Sequence, residues 1–189
     1  MRLFTAVLPP PAAVAELGEE VERLRGLPGA DRLRWALPEG WHFTLAFLGE
    51  VDDHLLPALC ERLERAAHRH HPFEVRLAGG GRFGDRVLWA GVDDGREPLR
   101  RLAASVTAGI DRAGVPTDDR PYKPHLTLAR AGRRGPGPGL RPLASALESF
   151  EGSLWRAEEL ALVRSRLPRS GTPGEHPRYE TSAAWSLGR

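Results

Sequence analysis

Apolar residues recur along this chain at two different periods, and the changes of period mark its elements. Leu3 to Leu8 reads as a first strand, ended by Pro9-Pro10-Pro11. From Pro11 to Arg25, Val14, Leu17, Val21 and Leu24 recur three or four residues apart, while Glu16, Glu19, Glu20 and Glu22 fall largely off that stripe. This spacing predicts an amphipathic helix, stopped by Leu27-Pro28-Gly29. A second helix is expected up to about His68, with Leu56, Leu59, Leu63 and Ala67 inward and Asp52 or Asp53 as its cap. A third runs from Glu97 to Ala113 on Leu99, Leu102, Val106 and Ile110, with Gly114 ending it. Ala144 to Phe150 reads as a fourth, short helix.

Between the helices the period changes to two. Strands are expected at Phe73 to Leu77, Val87 to Val92 and Tyr179 to Leu187, with one or two more over Trp155 to Ser165, while Leu33 to Trp35 reads as a short segment before the next turn. Pro38-Glu39-Gly40, Gly79-Gly80-Gly81, Gly132 to Gly139 and Arg169 to Pro177 read as turns or loops. Two further strands carry the same four-residue pattern. Pro124 keeps Lys123 out of a helix and hands over to His125-Leu126-Thr127-Leu128-Ala129. The earlier copy is His42-Phe43-Thr44-Leu45, with Phe43, Leu45 and Phe47 expected to form its apolar face. Side chains two apart share a face of a strand, so each His points the same way as its Thr.

Each half of the chain therefore reads as helix, His-x-Thr-Leu strand, helix, strand. The expected fold is α+β: one bilobal domain over residues 1–189, with two mostly antiparallel sheets, helices outside, and the tetrads facing each other across a central cleft.

At 189 residues and 41% hydrophobic, the chain fits one compact domain or two small lobes sharing a core. A lone cysteine, Cys60, excludes an intrachain disulfide and a Cys-rich zinc site. No apolar run has signal-peptide or membrane-helix length, so a soluble cytoplasmic protein is expected. Lys123 is the only lysine among 27 basic residues, and Asn and Gln are absent, which fits a GC-rich coding bias. Position says more than type. No acid lies between Asp119 and Glu148, where Arg120, Lys123, Arg130, Arg133, Arg134 and Arg141 gather, and such a patch suits a phosphate-bearing ligand.

Two histidines and two threonines on facing strands match one task well. Phosphodiester cleavage needs one group to take a proton from the attacking oxygen and another to give one to the leaving oxygen. Imidazole, titrating near neutrality, serves both roles. A hydroxyl on the same face can donate to the phosphoryl oxygens. Neither step requires a metal ion.

Both tetrads, the opening Arg2-Leu3-Phe4-Thr5-Ala6-Val7, the Phe47-Leu48-Gly49-Glu50-Val51 run and Pro124-His125-Leu126-Thr127-Leu128-Ala129-Arg130 resemble the 2H phosphoesterases. Within that superfamily the chain is most similar to the RNA 2′,3′-cyclic phosphodiesterases of bacteria and archaea, also named 2′-5′ RNA ligases. The resemblance spans essentially the whole chain. It implies a bilobal fold, no metal or other cofactor, and hydrolysis of a 2′,3′-cyclic phosphate on RNA ends or nucleotides to a 2′-phosphomonoester, with 2′-5′ ligation as the reverse direction. It makes His42 the proton donor to the leaving 3′ oxygen and His125 the base, with Thr44 and Thr127 holding the phosphate.

Arg130 matches the family's basic residue after the second tetrad. Strict alternation turns it away from His125 unless the strand bulges first. Tyr122 and Trp41, each just before a tetrad, are candidates for stacking on a base, with core packing the commoner use of such residues. His68, His70 and His71 form a second histidine cluster, read as an exposed helix end in preference to a metal site. Two other activities fit the tetrads: a 2H enzyme for small cyclic nucleotides or 2′-5′ oligonucleotides, and a non-catalytic RNA-binding module. A monomer is expected.

Overall fold

The computed structural model describes residues 1–118, 120–132, 139–168 and 175–188. Its strands are β1 (Arg2–Val7), β2 (Leu33–Trp35), β3 (Phe43–Glu50), β4 (Phe73–Val75), β5 (Leu77–Phe83), β6 (Val87–Val92), β7 (Leu126–Ala131), β8 (Trp155–Ala157), β9 (Glu159–Arg166) and β10 (Arg178–Ser186). The helices are α1 (Pro11–Arg25), α2 (Leu56–His68), α3 (Arg96–Arg112) and α4 (Arg141–Leu147).

One antiparallel sheet runs β10-β9-β1-β3 and a second runs β2-β7-β6-β5, with β4 and β8 forming a separate two-stranded ribbon. The architecture is α+β, as the periodicities predict. The sheets are not contiguous halves of the chain. The first joins the amino-terminal strands to the last two, and β2, which precedes the first tetrad, crosses over to pair with β7 beside the second.

The helices bury the stripes read from sequence. Leu17, Val21 and Leu24 of α1, Leu59 and Leu63 of α2, and Leu99, Leu102, Val106 and Ile110 of α3 enter one core with Phe43, Leu45, Leu126 and Leu128. The α2 helix covers β9 and β10 and packs on α3, while α4 covers β5 and β6 and touches α1. Both tetrad strands therefore have their leucines in the core and their histidines on the opposite face. Among the described residues, no helix is long and apolar enough to cross a membrane.

Four expectations need correction. Gly79-Gly80-Gly81 is not a loop but the middle of β5. Glycine is required at Gly80 because an added Cβ would lie 2.2 Å from Leu147 Cδ2 and 2.5 Å from the Trp89 carbonyl oxygen. The fourth helix starts three residues earlier than expected, at Arg141, because Pro142 suits the first helical turn. Neither Asp52 nor Asp53 caps α2 through its side chain; a 3₁₀ turn, Asp53–Leu55, leads into it. Phe47 is not on the apolar face of β3 but 61% exposed. The loop expected at Gly132 to Gly139 falls mostly outside the described residues, as do Arg133, Arg134 and Arg169 to Gly174.

Candidate active site

The two histidines are held in the same way. His42 follows the 3₁₀ turn Pro38–Gly40 and its Nδ1 meets the Gly40 carbonyl oxygen at 2.6 Å. His125 follows Pro124 and its Nδ1 meets the Lys123 carbonyl oxygen at 2.7 Å. A carbonyl oxygen only accepts, so each Nδ1 is the donor and carries the ring proton of the neutral form. Among the described residues, neither Nε2 has a hydrogen-bond partner. In both cases the acceptor lies two residues back, and the local chain turns the ring before the strand begins.

Past each threonine the strand bulges. On β3 the register passes from Ala6 opposite Thr44 to Thr5 opposite Ala46, skipping Leu45. On β7 it passes from Trp89 opposite Thr127 to Leu88 opposite Ala129, skipping Leu128. A bulge puts two residues against one and reverses the alternation beyond it. Leu128 and Ala129 are both buried, and Arg130 returns to the face of His125 and Thr127. Phe47 returns in the same way to the face of His42 and Thr44, with its ring 6.1 Å from that of Phe4.

Aromatic rings flank each imidazole. Phe4 lies 4.6 Å from His42 and Tyr179 meets it edge-on at 5.2 Å. Phe83 meets His125 edge-on at 4.8 Å, and Trp89 lies 6.2 Å away. The Lys123 ammonium sits 4.8 Å above the Trp89 ring and 5.7 Å from that of Phe83. A pocket of about 80 Å³ opens beside His42, lined by Phe4, Leu8, Gly40, Trp41, Tyr179 and Thr181 among others. A larger cavity of about 200 Å³ lies elsewhere, lined by Leu56, Cys60 and Leu162 among others, and holds no tetrad residue.

This setting keeps both imidazoles neutral to lower pH than usual. For His42 the main cause is burial, opposed by the Gly40 hydrogen bond and reinforced by the charges of His125 and Arg130. For His125 it is again burial, opposed by the Lys123 carbonyl and reinforced by the charges of Arg130 and Lys123. The charge of Arg130 acts on both rings, and that of His125 acts on His42. The strands that follow the two rings, β3 and β7, approach each other.

The remaining candidates lie differently. Trp41 is 4% exposed and belongs to the main core. Tyr122 packs against that core with its hydroxyl buried, and burial raises its pKa. Both aromatics thus pack in or against the core, and Trp41 also lines the pocket beside His42. The His70 ring shares a 2.7 Å hydrogen bond with the Ser105 hydroxyl. Among the described residues, no group of three or more His, Cys, Asp or Glu side chains is placed to hold a metal ion.

Phe4, Phe83, Trp89 and Tyr179 were not legible as site residues, because each stands on a strand far in sequence from either tetrad. Tyr179 stands apart on its strand: it is 41% exposed, whereas the other aromatic residue there, Trp185, packs on the core.

A family model described as the 2′-5′ RNA ligase superfamily matches residues 9–169. The chain belongs to that superfamily. Among its relatives in the superfamily, a protein of Thermus thermophilus named RNA 2′,3′-cyclic phosphodiesterase is 36% identical over 181 residues, which is 90% of this chain and 85% of the relative. Another of that name, from Geobacillus stearothermophilus, is 34% identical over 161 residues, and the match spans 47% of its length. A crystal structure of a Thermus thermophilus protein matches with a TM-score of 0.76 at 33% identity, covering 99% of this chain and 98% of that one. The matched range takes in both tetrads.

Proposed function

We propose that this protein hydrolyses a terminal 2′,3′-cyclic phosphate on RNA to a 2′-phosphomonoester. His42 and His125 act as the acid–base pair, through Nε2 in each case. His125 Nε2 takes a proton from water as its oxygen attacks phosphorus. The bond from phosphorus to the 3′ oxygen breaks, and His42, protonated at Nε2, gives its proton to that oxygen. Each ring then exchanges one proton with solvent to restore the starting state.

Thr44 and Thr127, on the faces of their histidines, donate to the phosphoryl oxygens, and the Arg130 guanidinium offsets the charge that builds there. The two imidazoles supply both proton transfers, so the reading calls on no metal or other cofactor. The observation that carries it is the matched pair of Nδ1–carbonyl hydrogen bonds, since two rings held alike with Nε2 unpaired are suited to exchanging protons. The names of the relatives point to the same substrate. The reading has the chain act as a single bilobal monomer in the cytoplasm, where its lone Cys60, half-buried and held above the usual thiol pKa by burial, stays reduced.

A ³¹P NMR time course on an RNA end bearing a 2′,3′-cyclic phosphate, with EDTA present, tests the reading. It predicts a 2′-monophosphate; a 3′-monophosphate or no conversion would overturn it.

A further inference from the structure

Beyond the reacting phosphate, a second cation stands beside Arg130. Arg34, on the edge strand β2, is the cross-strand partner of Arg130. Residues directly opposite in an antiparallel pair share a face, with Cα atoms about 4.5–5.5 Å apart. The neighbouring pairs confirm which face this is. Leu33 opposite Ala131, and Trp35 opposite Ala129, turn toward the small core that also holds Leu88, Leu140 and Leu143. Arg34 and Arg130 both point the other way and are exposed.

Like charges directly opposite on a sheet destabilise it unless something between them carries the opposite charge. Among the described residues, neither guanidinium has an ion pair or a hydrogen bond, although eleven ion pairs occur elsewhere. On the other side of Arg130 the same row continues through Val87 to Phe83, which offers no acid either. Two planar donors on adjacent strands with no acid in their row suit a phosphate chain and give a folded chain little benefit otherwise.

The two cations do not stand alike toward the imidazoles. Arg130 lowers the pKa of both His42 and His125, whereas Arg34 is a cause of neither shift. Arg34 stands on the edge strand of the order β2-β7-β6-β5, one strand outward from Arg130 along the row.

We infer that Arg34 binds a second phosphate of the substrate, the internucleotide phosphate next to the terminal nucleotide, while Arg130 serves the cyclic one. The inference rests on the cyclic phosphodiesterase reading and deepens it: the preferred substrate is an RNA end and not a mononucleotide.

The test compares Arg34→Ala, Arg34→Lys and the parent protein on a nucleoside 2′,3′-cyclic monophosphate and on a short oligoribonucleotide ending in that group. In Arg34→Ala the ratio of kcat/KM for the oligonucleotide to that for the mononucleotide falls about tenfold, through KM, and Arg34→Lys recovers part of it. The salt slope of binding to a labelled oligonucleotide ending in a 2′-phosphate, read by fluorescence anisotropy, falls by about 0.7 in magnitude, the share of one phosphate contact on a single strand. An unchanged ratio, or an equal loss on both substrates, would overturn the inference. If the parent protein turns over neither substrate, the reading of its activity fails instead, and the anisotropy measurement still decides whether Arg34 holds RNA.

Discussion

Phe47 and Arg130 occupy equivalent places, each five residues after a cleft histidine and each returned to the cleft face by a bulge at a buried leucine. The pattern is repeated but the chemistry is not. Around His42 the cleft is aromatic, with Phe4, Phe47 and Tyr179; around His125 it is cationic as well, with Lys123 and Arg130.

Arg130 is therefore expected to matter as a planar donor and not only as a charge. Arg130→Ala should lower kcat/KM on a cyclic phosphate substrate by roughly 10 to 10³-fold, and Arg130→Lys should recover only part. Steady-state kinetics would show it. Full activity in Arg130→Ala would mean that the bulge on β7 has no catalytic use.

The threonines should weigh less than the histidines. Thr44→Ala and Thr127→Ala should each cost roughly 10 to 10³-fold in kcat, the worth of one donor to a charge that develops in the transition state. Single-turnover rates at saturating substrate separate this loss from weaker binding.

Gly81 supports the second half of the site from beneath. A Cβ there would fall 2.5 Å from Trp89 Cζ2 and 2.7 Å from Cη2, both on a rigid ring that cannot fold aside. Gly81→Ala must push the indole off β5, and with it the surface that His125 and Lys123 rest on. We expect a loss of about 1–3 kcal/mol in urea unfolding, together with a fall in kcat. Unchanged stability would show that the indole shifts without strain.

Stability should depend on pH through the same imidazoles. Burial places the folded pKa of His42 and His125 below the unfolded value of about 6.5, so the unfolded chain binds more protons between the two. Their contribution is complete above about pH 6.5 and is lost as pH falls through the folded values. The urea midpoint should thus rise with pH across this window, and His42→Ala or His125→Ala should flatten the rise. His70, also lowered chiefly by burial, keeps some slope in either variant. A midpoint that falls with pH there would contradict the burial of these rings.

Much of this was legible from two periodicities. Alternation put His42 with Thr44 and His125 with Thr127 on the face opposite the core, because strand geometry has that period whatever the tertiary context. The helical stripes held for a similar reason. Where the chain departs from a period, tertiary packing decides. Leu45 and Leu128 carry no mark that a bulge forms at them, yet those bulges bring Phe47 and Arg130 into the cleft. Gly79-Gly80-Gly81 carries the usual sign of a loop, but the room its missing side chains leave is taken by Leu147 and Trp89 from other elements. Tyr179 joins His42 through β10, which enters the first sheet from the far end of the chain.

The pH dependence of kcat/KM for the parent protein, His42→Ala and His125→Ala tests the two-histidine account most directly. The account predicts a bell for the parent, with its maximum on the acid side of neutrality because both imidazoles are shifted down, and with limbs that belong to the coupled pair. Each variant should lose one limb and roughly 10² to 10⁴-fold in rate. A variant that keeps both limbs at a near-parental rate would contradict it.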